Sequence, residues 1–314
     1  MLFLQKHFKL PFQGTALRRR CHFGQKIKRN AMTKRFKHIY FELTNICDRK
    51  CSFCPEVKRE KLFMPYDDAE KFLVQSAEIS EAVYFHLQGE PLLHPDFEKI
   101  TTFAKKIGLI LKLTTNASHL QKYSEYLLEG NFFQINFSIQ SLNEVSNDER
   151  LRVLDDIANF TRKALQKCPD MYINFRWWQN SPPDVEFFAQ KFNIPTEKWL
   201  PYSGRHSVNI TGRLYSTFDR QFVWPSSDAD KRTDGTCGSC RGLLDHCGIL
   251  CDGRVVPCCL DHEGFLTLGD LHSGNLSDIL NSPRAAAIAD GFKNNKRIET
   301  LCQNCNFAQR FNRK

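Results

Sequence analysis

The sequence predicts an α/β protein built on a parallel sheet with crossover helices, followed by a small cysteine-rich α+β region. Three observations point there. Short runs of β-forming residues alternate with helical patterns from His38 to Phe192, the order expected when helices carry the chain between parallel strands. From Asn193 to Thr236 that pattern breaks up around Pro195, Pro201 and Pro225, as a linker or insertion would. The remainder is rich in Cys and Gly and carries eight of the thirteen cysteines, six between residues 237 and 259 and two at 302 and 305.

Each element follows from local composition. His38 to Thr44 (HIYFELT) alternates and is rich in β-formers, so it reads as the first strand, ending where a cysteine loop begins. Asp67 or Asp68 can cap a helix running to about Ile79, with Phe72 and Leu73 on its apolar face. Ala82 to Gln88 is the second strand, Asp96 caps a helix through Lys106, and Leu109 to Thr115 is the third strand. A helix over His119 to Glu129, a strand from Phe132 to Ile139, a helix from Asn147 to Lys167, a strand from Met171 to Trp177 and a helix from Asp184 to Phe192 follow. Ser207 to Thr211 is a candidate sixth strand. Further on, Asp252-Gly253 reads as the turn of a hairpin between Gly248 to Cys251 and Arg254 to Pro257, and one helix is expected over Leu276 to Asp290.

Composition bounds the function. A 41% hydrophobic, 25% charged chain is ordinary for a soluble globular protein, and no apolar run is long enough to span a bilayer. The net charge of +9 suggests nucleic acid until it is located: residues 1–37 hold eleven Lys or Arg and no acid, leaving 33 basic against 35 acidic residues in the body. The body therefore offers no bulk electrostatic case for nucleic acid. The basic leader reads as a disordered arm, as upstream sequence before a start at Met32, or as a transit peptide, and no chemistry is assigned to it. Cysteines grouped at short spacing, without an apolar signal segment, point to metal ligands in a reducing, cytoplasmic setting.

The strongest motif is Cys47-x3-Cys51-x2-Cys54, with Phe53 before the last cysteine. A closed structural site would want a fourth local Cys or His, and the next cysteine is Cys168; three thiolates on a cluster leave one iron without a protein ligand. A zinc knuckle or three unrelated thiols is the alternative. The spacing resembles the cluster loop of the radical S-adenosylmethionine (radical SAM) family. The resemblance covers about residues 38–215 and implies a partial (β/α)6 TIM-type barrel, a 4Fe-4S cluster on Cys47, Cys51 and Cys54, and SAM chelated at the open iron. Gln88-Gly89-Glu90-Pro91 looks like the family's Gly-Gly-Glu-Pro stretch, with Gln88 replacing the first Gly. On that likeness Gly89, Glu90 and Pro91, together with Asn116, Ser138 and Arg176, are the expected SAM contacts, Arg176 pairing with the SAM carboxylate or with substrate. His86 and His94 are expected to be structural.

The C-terminal region, taken as 237–314 after a linker at 216–236, carries Cys240 and Cys258 flanking the Asp252-Gly253 turn, then Cys302-x2-Cys305. This resembles the auxiliary-cluster domain of SPASM/twitch radical SAM enzymes and implies a second 4Fe-4S cluster on Cys240, Cys258, Cys302 and Cys305. Cys237 could replace Cys240, and Cys259 could replace Cys258; a zinc ribbon on Cys237, Cys240, Cys302 and Cys305 is the competing structural reading. The resemblance implies an enzyme that cleaves SAM to a 5′-deoxyadenosyl radical and removes hydrogen from a substrate. With an auxiliary cluster to accept an electron, that becomes oxidation or crosslinking of a peptide, protein or small alcohol, with a donor such as flavodoxin or ferredoxin. The competing classes are a non-catalytic iron-sulfur or zinc-binding interaction protein and an RNA-modifying enzyme recruited by the leader. Trp199, Arg205 and Trp224 are further candidates to touch substrate.

Overall fold

The computed structural model describes residues 34–178, 182–201, 206–225 and 235–311. The chain runs β1 (His38–Phe41), α1 (Tyr66–Ile79), β2 (Ala82–Phe85), α2 (Phe97–Lys106), β3 (Ile110–Thr115), α3 (Leu120–Leu127), β4 (Gln134–Ser138), α4 (Asn147–Lys167), β5 (Tyr172–Trp178) and α5 (Pro182–Phe192). After these come β6 (Ser207–Thr211), β7 (Leu214–Asp219), β8 (His246–Ile249), β9 (Arg254–Val256), β10 (Gly269–Asp270), α6 (Leu276–Leu280), α7 (Pro283–Lys293) and α8 (Thr300–Gln303). All strands join one sheet in the order β10-β9-β8-β1-β2-β3-β4-β5-β7-β6. Strands β1 to β5 and β7 are parallel neighbours, the six-strand partial barrel that the cysteine motif implied.

Strand alternation builds two unlike faces. One side chain in two points at the helices, and Ile39, Phe41, Val83, Phe85, Leu111, Leu113, Ile135, Phe137, Ile173 and Phe175 are all buried there. Phe175 packs on Phe137, Phe188 and Trp199, so Trp199 is a core residue. The opposite face carries Tyr40, Tyr84, Lys112, Asn136, Asn174 and Arg176, all but Asn136 half-buried, and lines the inside of the curved sheet. Loops at the carboxyl ends of the strands open onto that inner face, where the sites of parallel α/β folds gather.

Several expectations change. The sixth parallel strand is β7, whereas β6 is its antiparallel edge partner; the turn at Gly212, in the left-handed region at φ 52°, joins them. β7 runs through residue 215, where the sequence reading ends the core. The expected helix over Leu276 to Asp290 is two helices, because Pro283 cannot continue a helix and Ser282 caps the second, accepting a hydrogen bond from Ala285 N. The Asp252-Gly253 hairpin exists as β8 and β9, but β8 also pairs in parallel with β1. The cysteine-rich region therefore extends the main sheet. Residues 34–37, read as part of the leader, sit on the body: Phe36 is buried and Lys37 pairs with Asp245. The remainder of the leader, Met32 and Arg205 lie outside the described residues.

One buried ion pair ties these parts together. Both Glu42 carboxylate oxygens, one residue past β1, accept from Arg59 Nη2 at 2.9 Å. The same guanidinium donates to the His262 carbonyl at 2.7 Å and approaches Asp252 at 3.4 Å, and Glu42 also accepts from Cys251 N. The two side chains are 6% and 0% exposed, so removing one partner strands a buried charge. Arg59→Met should lower stability by about 3–5 kcal/mol, and Glu42→Gln in the same chain should restore much of it. Urea unfolding of the iron-free protein reads both; a single-variant loss below about 1 kcal/mol, the size of an exposed pair, refutes the buried-charge account.

Candidate active site

The cysteine loop leaves the carboxyl end of β1 and is pinned at its base. Thr44 Oγ1 donates to the Leu62 carbonyl, Asn45 Nδ2 donates to the Glu60 carbonyl, and Asn45 Oδ1 accepts from Leu62 N. Each thiol then meets the end of a different strand. Asn116 Nδ2, after β3, lies 3.7 Å from Cys47 Sγ; the Ser141 carbonyl, after β4, lies 4.0 Å from Cys51 Sγ; Gln88 Oε1, after β2, lies 3.2 Å from Cys54 Sγ. Cys47 and Cys54 are partly open to solvent and Cys51 less so, yet burial of the sulfurs pushes the Cys47 thiol up to about 12 and the Cys54 thiol up to about 11. Three neighbouring thiols held protonated by their surroundings become thiolates together only when a cation is bound. Soft sulfur donors fit iron-sulfur chemistry.

The residues expected to touch SAM divide into two groups. Gly89 sits at φ +70°, and a Cβ there would lie 2.3 Å from the Thr44 carbonyl oxygen and 2.8 Å from that of Ile46. Glycine is required because the backbone presses against the base of the cysteine loop, where Glu90 N donates to the Ile46 carbonyl. Glu90 is buried; its Oε1 accepts from Thr115 Oγ1 and Leu92 N, and its Oε2 from Asn116 N. Burial pushes its carboxyl up to about 7 against those three donors. Pro91 opens a 3-10 turn over Pro91–Leu93, and Asn116 Nδ2 donates to Asp48 Oδ1 at 2.9 Å. These four residues frame the loop. Ser138 and Arg176 instead face the inside of the sheet, directly paired across β4 and β5.

That inner face is the feature the sequence reading missed. Tyr40, Tyr84, Lys112 and Gln134 stand in one row across β1 to β4, and Asn174 Nδ2 donates to Asn136 Oδ1 while Thr217 Oγ1 donates to Asn174 Oδ1. Buried parallel strands normally read as continuous apolar runs. Here AVYFHLQ, LILKLTT, QINFS and YINFRWW place a polar or aromatic residue at most inner-face positions (Tyr84, His86, Gln88, Lys112, Thr114, Gln134, Asn136, Ser138, Tyr172, Asn174, Arg176 and Trp178), which is the signal of a polar lumen. His86 belongs to it: burial, then Arg176, pulls its imidazole down to about 3, so it is neutral.

On the other side of β1, Cys240, Cys258, Cys302 and Cys305 line one cavity of about 270 Å³. Burial, then the neighbouring Cys259, Cys240, Cys302 and Cys305, raises the Cys258 thiol strongly. Among the described residues no three His, Cys, Asp or Glu close around a single ion; the thiols are spread over the walls of a larger space. Cys237, which a zinc ribbon would use, is exposed, forms a backbone bridge with Lys296 and is not in the cavity wall. Cys259 is in the wall, and so is Tyr40. Tyr40 thus borders both the cavity and the lumen. Cys168, Cys247 and Cys251 are buried. Trp224 closes the space between the two cysteine groups, donating from Nε1 to the Phe53 carbonyl at 2.9 Å and packing on Phe222, which packs on Phe307.

Gly89→Ala tests the frame. The left-handed conformation alone should cost about 1–3 kcal/mol, the carbonyl clash adds to it, and iron bound after reconstitution should fall. Wild-type stability and iron content would show that the backbone does not press on the loop.

The model of the radical SAM superfamily matches residues 41–174, and that of the SPASM iron-sulfur cluster-binding domain matches residues 237–306. The GTP 3',8-cyclase of Aquifex aeolicus is 29% identical over 130 residues, 38% of this chain; the match spans only 39% of that protein. A probable GTP 3',8-cyclase of Methanococcus maripaludis is 27% identical over 272 residues, 76% of this chain and 90% of that protein. Among solved structures, BtrN in complex with AdoMet and 2-DOIA aligns with a TM-score of 0.53 at 16% identity, over 88% of this chain and 94% of BtrN. Streptococcus suis SuiB bound to precursor peptide SuiA aligns with a TM-score of 0.57 at 15% identity, over 81% of this chain and 66% of SuiB. These two likenesses concern the fold. With both halves of the chain matched in order, and with thiols gathered at the loop after β1 and in the C-terminal cavity, the chain belongs to the radical SAM superfamily and carries a C-terminal SPASM domain.

Proposed function

We propose that this enzyme oxidises or crosslinks a substrate held in the polar lumen. In this reading Cys47, Cys51 and Cys54 hold the SAM-binding 4Fe-4S cluster, and Cys240, Cys258, Cys302 and Cys305 hold the auxiliary one. When bound, the first cluster and SAM supply a 5′-deoxyadenosyl radical that removes hydrogen from the substrate, and the auxiliary cluster supplies an electron acceptor. The observation that carries the reading is Tyr40, whose side chain stands beside Tyr84 on the lumen face and also lines the cysteine-bordered cavity. A substrate in the lumen would then lie between the two sites.

The chain's own residues would position that substrate and keep water away from it. Asn136 and Asn174 are tied into a row of hydrogen bonds, so their orientation is fixed before a ligand arrives. Arg176 has no carboxylate within ion-pair distance among the described residues, which leaves its guanidinium free to balance negative charge developing on a substrate oxygen. Glu90 and Asn116 would orient SAM indirectly, by holding the loop that carries its cluster. Phe53, Trp178, Phe222 and Trp224 pack in sequence over the mouth and exclude water from a reactive radical. An electron donor such as flavodoxin or ferredoxin completes the system.

A second reading, cyclisation of a nucleotide, is favoured by the relative from Methanococcus maripaludis and by Lys112, which also has no ion-pair partner among the described residues and stands in the same lumen. Formation of a cyclised product from GTP by the reduced enzyme would select it.

Anaerobic reconstitution with dithionite and SAM tests the main reading. The wild type should bind about eight irons and form 5′-deoxyadenosine; Cys302→Ala with Cys305→Ala should bind about four and still form it. Zinc in place of the second set of irons, or no 5′-deoxyadenosine under any condition, overturns the proposal.

A further inference from the structure

We infer that Gln88 is a tuning residue for the cluster on Cys47, Cys51 and Cys54, donating a hydrogen bond from its side-chain amide to the Cys54 sulfur. The inference rests on Cys54 being an iron ligand and goes beyond it, since it concerns the electron affinity of the site. Gln88 stands where the resembling stretch has glycine, so the family's pattern has no side chain to make this contact.

The geometry presents two linked facts. Gln88 is 5% exposed, and its Oε1 lies 3.2 Å from Cys54 Sγ, within reach of a thiol hydrogen. Its Nε2 is buried and has no hydrogen-bond partner among the described residues, a costly condition for an amide donor. Both change when iron binds. An iron-bound sulfur carries no proton, so Oε1 loses its donor and would face a negatively charged sulfur. The oxygen and nitrogen of a carboxamide occupy nearly equivalent positions. Rotation by half a turn brings an N–H to the sulfur and removes the unpaired donor at the same time.

A hydrogen bond to a ligand sulfur stabilises the more negative, reduced cluster and raises its reduction potential. Gln88 would therefore make the cluster easier to reduce than the same loop with glycine at position 88. The position is anchored: Glu90 N, two residues on, donates to the Ile46 carbonyl at 2.9 Å, so the amide is presented to Cys54 from a backbone tied to the cysteine loop.

The test uses the full-length reconstituted protein and the electron paramagnetic resonance signal that changes when SAM is added. Gln88→Gly should move the midpoint of that signal to a more negative potential, and Gln88→Glu, which matches the shape but presents oxygen to the sulfur, should move it further. In the wild type, 15N in glutamine side-chain amides should give a 15N coupling to that signal, which Gln88→Gly should remove. This readout needs no variant to fold. Equal midpoints in all three proteins, or a SAM-responsive signal without the 15N coupling, overturn the inference. No SAM-responsive signal in the wild type would instead overturn the cluster assignment beneath it.

Discussion

The Glu42–Arg59 pair is the constraint on which the remaining structure depends. Glu42 extends β1, Arg59 closes the loop that holds Cys47, Cys51 and Cys54, and the groups they bind beyond each other, Cys251 N, Asp252 and the His262 carbonyl, belong to the C-terminal hairpin and the segment after it. A buried ion pair is weak evidence for net stability, because desolvation offsets much of the attraction. Its value here is geometric. The bidentate contact admits one arrangement of three chain segments, and two groups of thiols are fixed relative to each other as a result.

The sheet extends that constraint. Because β8 pairs in parallel with β1 through His38 to Phe41, the C-terminal region joins the barrel by a hydrogen-bonded register and by packing of Cys247 and Ile249 in the common core. The cavity lined by Cys240, Cys258, Cys302 and Cys305 is thereby set against Tyr40. A separate domain on a flexible linker would let the gap between the two groups of thiols vary. A shared sheet removes that freedom.

Much of this was legible in the sequence. The parallel strands from β1 to β5 announced themselves as β-rich runs separated by helical patterns, and the spacing of Cys47, Cys51 and Cys54 marked one group of thiols because it needs only local geometry. What was not legible is non-local. β7 is a six-residue strand within the irregular region after Asn193, and its place beside β5 depends on a partner forty residues earlier. The pairing of β8 with β1 spans some two hundred residues. Gly89 also presses against carbonyls of the cysteine loop, a contact the sequence does not mark. Glu90 carries no mark in the sequence that both its oxygens are taken by the chain. The polar lumen could have been found, since the period of two that identified each strand also places Tyr84, His86 and Gln88 on one face and Val83, Phe85 and Leu87 on the other.

That alternation carries the chemistry furthest. A radical that removes hydrogen from an unactivated carbon will react with any side chain it can reach, so a lumen that held its substrate, as proposed above, would gain from groups that orient it firmly. Asn136 meets this by being bound on several sides: its amide donates to the Leu113 carbonyl and to Tyr84 Oη, while its oxygen accepts from Gln134 and Asn174. Arg176 supplies charge through its guanidinium. His86 is held neutral by its burial and by Arg176, so it adds no second charge beside that cation. The inner face therefore carries its cations, Arg176 and Lys112, among hydrogen-bonded amides, while the outer face is mostly apolar. One sheet can serve as core on one face and offer a polar lumen on the other because its two faces follow different chemistry at the same spacing.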